Sequence, residues 1–326
     1  MVLVLTRMKR VFWGENANKA TLISVLLGMY IVFALFIPTF FSYARIISAL
    51  KYAYFLGFLA IGETFVIATG EIDFSIGPVM FTCALMAGQM LQNNIPLSVC
   101  IVACIMIGII FGSISGYLVS NLRLPSFITS MAIMNAAKGL GSVVTRTQSV
   151  SWPQSSDAQG WYRKFVSVKA SGLDIPVGFL ILISVAIVCA VLFKKTYIGR
   201  YILCLGSNKE ALRMSGVDVN RWGRLAYIVC GMMAGVAAIF YVGAYTTVQP
   251  GLGDVFNNDA IACCVMGGTS MSGGTASIGG TFLGVMVIAL LQEGILAMGL
   301  TRDYQYIVTG IIVLLSVCLD MKNRRG

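Results

Sequence analysis

A chain of 326 residues that is 58% hydrophobic and only 11% charged, with mean hydropathy +0.86, holds more apolar surface than a water-soluble fold can hide, so it reads as an integral membrane protein. The net charge of +10 argues weakly for nucleic acid and strongly for a bilayer, because the cations sit beside apolar runs and follow the orientation rule. With no histidine anywhere, catalysis, metal ligation and proton relay by an imidazole are excluded.

The apolar runs are continuous rather than alternating, which favours helices over a barrel. A helix needs roughly twenty apolar residues to cross the hydrocarbon core, and on that measure the chain divides into about ten spans. They cover approximately 21–41, 53–69, 76–91, 96–120, 125–144, 176–193, 225–248, 258–270, 279–300 and 304–320. The run after the basic N-terminal tail is too long for a signal-peptide core and has no small-residue cleavage site, so the tail is expected to stay attached. An even number of spans puts both termini on one side. Fifteen of the 23 Lys and Arg fall in the segments this places inside: Arg7, Lys9, Arg10, Lys19, Arg123, seven between Lys194 and Arg224, and Lys322, Arg324 and Arg325. Both ends are therefore expected in the cytoplasm, with Arg45 and Lys51 as exceptions. The nine cysteines lie almost all in apolar runs and read as packing residues, without metal or disulfide spacing.

Several acids occupy positions that hydropathy disfavours. Glu63 falls in the second span, Glu71 and Asp73 in the break before the third, Asp259 at the head of the eighth and Glu293 in the ninth. Each costs at least ~2.5 kcal/mol at the centre of a lipid-facing helix, so these acids, with Ser75, are the candidate lining of a polar route. In Gly70-Glu-Ile-Asp-Phe-Ser-Ile-Gly77-Pro78 two carboxylates lie between glycines and a proline, which rules out an uninterrupted helix; such backbone is tolerated only where it is buried or lines a cavity. Two readings stand for Asp73 and Ser75, a cap on the third span or direct contact with a solute. The glycine cluster 267–280 lacks the lysine of a phosphate loop, so it reads as a tight inner turn with close helix packing and not as an ATP site. A short echo pairs the third span with the eighth and the fourth with the ninth in opposite directions, a candidate inverted repeat.

Two loops stand out. The outer segment 145–175, with Trp152, Trp161 and Tyr162, is long enough to dock an external protein. The basic loop 194–224 contains Ser207-Asn-Lys-Glu-Ala-Leu-Arg-Met-Ser-Gly216. Here Ser207 and Glu210 fit a capping box and Gly216 a left-handed stop, which predicts a helix of about two turns that a soluble partner can push.

Taken together, Gly70-Glu-Ile-Asp-Phe-Ser-Ile-Gly77, Leu122-Arg-Leu-Pro-Ser-Phe-Ile128, Gly206-Ser-Asn-Lys-Glu-Ala211, Asn258-Asp-Ala-Ile-Ala262 and Met266-Gly-Gly-Thr-Ser270 resemble the ribose-type sugar permeases of bacterial ABC importers, over about residues 50–320. The resemblance implies an all-α, type II importer-like permease, with residues 1–326 forming one membrane domain in the bacterial inner membrane. It implies a homodimer or paired permease and an external sugar-binding protein. It also implies a cytoplasmic ATPase that uses the ATP and grips Ser207, Glu210, Ala211 and Gly216, a stretch similar to the coupling motif of ABC permeases, with Leu212 where a second alanine is usual. Asn258 stands where the family usually has an acid. No catalytic residue, metal or directly bound cofactor is expected. The rival readings are an ion-coupled secondary transporter, with the buried acids as its ion site, and an ABC permease for a nucleoside or amino acid.

Overall fold

The structure, a computed structural model, describes residues 2–37, 40, 42–157, 159–170, 173–301, 303–312 and 314. The chain is built of helices: α1 (Val2–Phe36), α2 (Tyr43–Ala68), α3 (Ile76–Gln92), α4 (Leu97–Ser120), α5 (Ser126–Val144), α6 (Val177–Lys195), α7 (Tyr197–Ser207), α8 (Lys209–Met214), α9 (Val219–Ala244), α10 (Asp254–Met266) and α11 (Ile278–Ala297). Residues 303–312 are helical again. Among the described residues seven helices are long and apolar enough to cross a membrane: the 19–36 part of α1, then α2, α4, α5, α6, α9 and α11. The expected count of about ten is therefore looser than it looked. α3 and α10 span only 17 and 13 residues, and the end of the tenth expected span, with the C-terminal cations, lies outside the described residues.

The helices are positioned by α2 and α9, which form the interior. From Tyr52 to Ala68 every side chain of α2 is buried. The two helices run antiparallel: Phe55 meets Tyr241 at 5.2 Å and Phe58 meets Phe240 at 4.6 Å, while Gly62 lies against Cys230 and Met233. Each then breaks and continues as a short helix, α3 or α10. The neighbours exchange accordingly: α4 packs along α9 as α11 packs along α2, α3 touches α9 as α10 touches α2, and α3 lies on α4 as α10 lies on α11. This exchange, with antiparallel mates, is the pattern an inverted repeat produces. It follows the same pairs that the short sequence echo matched. The close α4–α9 approach uses small residues, with Gly108 against the backbone of Gly231.

α2 begins ten residues before the expected span because its two awkward cations find acids there. Arg45 reaches Glu293 at 3.0 Å and Lys51 reaches Asp174 at 3.8 Å, so the N-terminal end of α2 can stay helical among charges. The long segment 145–175 is also ordered locally. Its strands β1 (Val150–Ser151), β2 (Val168–Ala170) and β3 (Leu173–Ile175) flank a 3-10 turn at Gly160–Phe165, and β1 pairs with β4 (Thr247–Val248). Tyr162 pins this segment to the end of α9 by donating to the carbonyls of Pro153 and Val242 at 3.2 and 3.3 Å. Burial pushes the Tyr162 phenol up to about 12, so it remains a donor at neutral pH.

Candidate translocation site and coupling joint

The six acids and hydroxyls that sequence grouped as one route occupy three separate places. The first is the break between α2 and α3. Glu63, fully buried on α2, accepts the backbone N–H of Asp73 at 3.0 Å and a thiol hydrogen bond from Cys230 at 3.7 Å. Asp73 in turn accepts the backbone N–H of Ser75 at 2.8 Å and its hydroxyl at 2.6 Å. These partners leave the pair holding irregular backbone in shape, as buried polar groups at membrane depth require. Glu71 is half-buried beside them.

A residue missed at the sequence level completes this clamp. Asn257 of α10 accepts the N–H of Gly77 at 2.7 Å and donates to the carbonyl of Phe74 at 2.5 Å, satisfying two backbone groups that the break leaves without helical partners. The approach is close because a Cβ on Gly77 would lie 2.2 Å from the Gly253 carbonyl oxygen. The signal was present in the run Phe256-Asn-Asn-Asp259, where two amides share the head of an apolar segment.

The second place holds Asp259, which accepts from Tyr52 at 2.5 Å and from Gln305 at 3.0 Å. Asp259 borders a cavity of about 480 Å³ between α10 and residues 303–312, whose wall includes Phe74, Asn258, Met271, Tyr306 and Thr309. This volume lies in the ~300–1,000 Å³ range of small-molecule sites. The Thr309 hydroxyl on the wall and the Gln305 carbonyl oxygen behind Asp259 are buried without a hydrogen-bond partner. The charged side chains on the wall are Asp254 and Asp259, and Asp254 is paired with Lys138 of α5. The third place is the Glu293–Arg45 ion pair described above, neither residue of which lines this wall. Of the six sequence candidates only Asp259 borders the cavity.

The candidate coupling segment differs from expectation in its cap. Asn208, not Ser207, caps α8, accepting the N–H of Ala211 at 2.9 Å, because Ser207 is the last residue of a preceding helix, α7, that sequence did not separate. Glu210 pairs with Arg213 at 3.0 Å instead of reaching back. Gly216 does end the helix in the left-handed region, φ +82°. Leu212 tucks into a small apolar cluster with Leu205 and Val219, which fastens α8 to its flanking helices.

The α7–α8 joint meets the membrane part of the chain through backbone. A Cβ on Gly206 would sit 2.1 Å from the Ala68 carbonyl oxygen at the end of α2 and 2.5 Å from the Gly274 nitrogen. The Gly274 N–H donates to that same Ala68 carbonyl at 3.0 Å, and Ser207 lies against Gly274. The glycine cluster 267–280 is thus a tight turn wedged between the coupling joint and the break after α2, as well as a packing surface where Gly267 meets Gly280.

A bundle of apolar helices with paired broken helices, buried polar groups at the breaks and a cavity beside one of them defines a polytopic transport protein. The chain matches the family described as "Branched-chain amino acid transport system / permease component" over residues 45–317 and belongs to it. It is similar to the ribose import permease protein RbsC of Escherichia coli (strain K12), 30% identical over 309 residues that cover 94% of each chain. It is likewise similar to RbsC of Bacillus subtilis (strain 168), 31% identical over 98% of this chain and 97% of the relative, and to the xylose transport system permease protein XylH of Escherichia coli (strain K12), 28% identical over 88% and 87%. The chain is a multi-pass transport subunit, not an enzyme.

Proposed function

We propose that this chain is the membrane permease of an ATP-driven importer for a monosaccharide or similar polyol, with residues 1–326 as one membrane domain in a bacterial inner membrane and both termini cytoplasmic. A second permease closes the pathway, a separate ABC ATPase grips Ser207, Glu210, Ala211 and Gly216, and an external binding protein delivers the solute to the 145–175 side. Partner and cargo follow from the relatives, whose names are those of ribose and xylose permeases.

The observation that carries the cargo reading is the cavity beside Asp259. Its wall combines apolar and aromatic faces with hydroxyl, amide and carboxylate groups, the mixture that a sugar's C–H faces and hydroxyls call for. An amino acid carboxylate would need a cation, and among the described residues the charged groups on the wall are Asp254 and Asp259, with Lys138 already engaged by Asp254; a sugar phosphate is disfavoured for the same reason. The acids of the α2–α3 break are engaged by their own backbone and serve as structural members of the pathway, with Glu63, Glu71, Asp73 and Ser75 shaping the route and Glu293 anchoring its outer end. That engagement also weighs against an ion-coupled mechanism built on them.

The test is uptake of labelled D-ribose by cells that express the complete transporter, challenged with unlabelled D-xylose or L-leucine. Competition by xylose and none by leucine is the expected result. Uptake of labelled L-leucine by the same cells, with no uptake of labelled D-ribose, would contradict the sugar reading.

A further inference from the structure

At the end of the bundle where α7 begins, a second cavity of about 620 Å³ opens between the end of α4 and the starts of α7 and α9, walled by Ser113, Tyr117, Tyr197, Arg221, Trp222 and Arg224. Among the described residues neither arginine is in an ion pair. The acid nearest in sequence, Asp218, is occupied in capping α9 through the N–H groups of Asn220 and Arg221. The aromatic wall is rigid: the Trp222 ring packs against Tyr201 at 5.0 Å and Tyr197 at 5.8 Å. Arg224 is held close to α4, since a Cβ on Gly116 would lie 3.0 Å from its Cα.

What leads into this cavity identifies its occupant. An exposed stripe on α4, formed by Val102, Met106, Ile110 and Ile114, runs down to Tyr117, itself 49% exposed. Its three- and four-residue spacing keeps it on one helix face. Two guanidinium forks suit a phosphate, tyrosine and tryptophan suit the interfacial layer, and an apolar groove above them suits an acyl chain. We propose that this cavity binds the headgroup of an anionic phospholipid, with one tail lying along the α4 stripe. The lipid then ties α4 to the helix that carries the coupling joint, independently of what the permease transports.

The experiment uses the full chain purified in detergent, stripped of lipid, and titrated with dioleoylphosphatidylglycerol or dioleoylphosphatidylcholine under native mass spectrometry. Two nearby cations, each worth about fivefold, predict about a thirtyfold preference for the anionic lipid. Arg221→Gln with Arg224→Gln should reduce it to less than about threefold, whereas Arg200→Gln with Arg213→Gln, cations outside the cavity, should leave it in place. Inorganic phosphate at the same concentration should not displace the lipid. Equal retention of both lipids by the unaltered chain, an unchanged preference in the cavity double variant, or displacement by inorganic phosphate would each overturn the assignment. If the double variant does not purify as a single species, Arg221→Gln alone decides, with about a fivefold loss expected and no loss contradicting the site.

Discussion

The two broken helices of this permease follow one backbone plan and put it to opposite uses. After α2 the side chains of the break are engaged: Glu63, Asp73, Ser75 and Asn257 exchange hydrogen bonds with each other and with the backbone, and of the groups beside them the buried Tyr227 hydroxyl has no partner among the described residues. On the far side of α10 the polar groups are left incomplete, with Gln305 and Thr309 each holding a buried atom that has no partner. A buried polar group costs most when it has nothing to bond to, so the engaged carboxylates of the first break read as scaffold and the open groups beside α10 as the place prepared for a solute. Buried carboxylates at membrane depth are thus not equivalent evidence of a pathway; their partners decide.

The sharpest way to break this contrast is Asn257→Leu, which strands the Gly77 N–H and the Phe74 carbonyl. Two unsatisfied buried backbone groups cost about 2–6 kcal/mol together, so the variant should lose most of its thermal stability in detergent. A melting midpoint equal to that of the parent would remove the clamp. A smaller loss, about 1–3 kcal/mol, is expected for Asp73→Ala, which takes the acceptor from the Ser75 N–H. The matching change at Asp157, in the exposed part of the 145–175 loop where it accepts from the Gln154 N–H, should cost less than about 0.5 kcal/mol. Uptake should fall with the first and persist with the second; equal effects would mean that the α2–α3 break has no special standing.

Gly206→Ala probes the contact between scaffold and lever. Its new methyl group meets the Ala68 carbonyl and Gly274 backbone, at an overpacking cost of about 1–3 kcal/mol. ATP hydrolysis by the complex should continue while uptake drops, and undiminished transport would show that the joint carries no motion. The gentlest change is Thr309→Val on the incomplete side. It keeps the side chain's shape and removes one hydroxyl, so folding should be unaffected or slightly improved, while ribose uptake falls about fivefold, the equivalent of one hydrogen bond at ~1 kcal/mol. Uptake unchanged by Thr309→Val would leave the cavity without a part in transport.

Much of this was legible in the sequence because hydropathy and charge act over many residues at once. The order of the spans, the break before Pro78, the Gly216 stop and the pairing of the third span with the eighth all come from local composition. Long-range partners do not. Nothing near Arg45 in the chain announces Glu293, 248 residues away, so the start of α2 was placed too late. Tyr52 and Gln305 were invisible as partners of Asp259 for the same reason. The cap of α8 differs from the one its sequence suggests because Ser207 and Asn208 are both competent caps, and only the register of α7, which ends on Ser207, chooses between them.

Under the proposed function, motion enters this bundle from a soluble partner, through the short α7–α8 joint, and not from ion movement across its buried acids. Uptake of labelled D-ribose into vesicles that contain this chain, with and without its companion ATPase and ATP, tests it most directly. Accumulation only when both are present, unaffected by an ionophore, is the predicted result; full-rate uptake without the ATPase, abolished by an ionophore, would contradict the account.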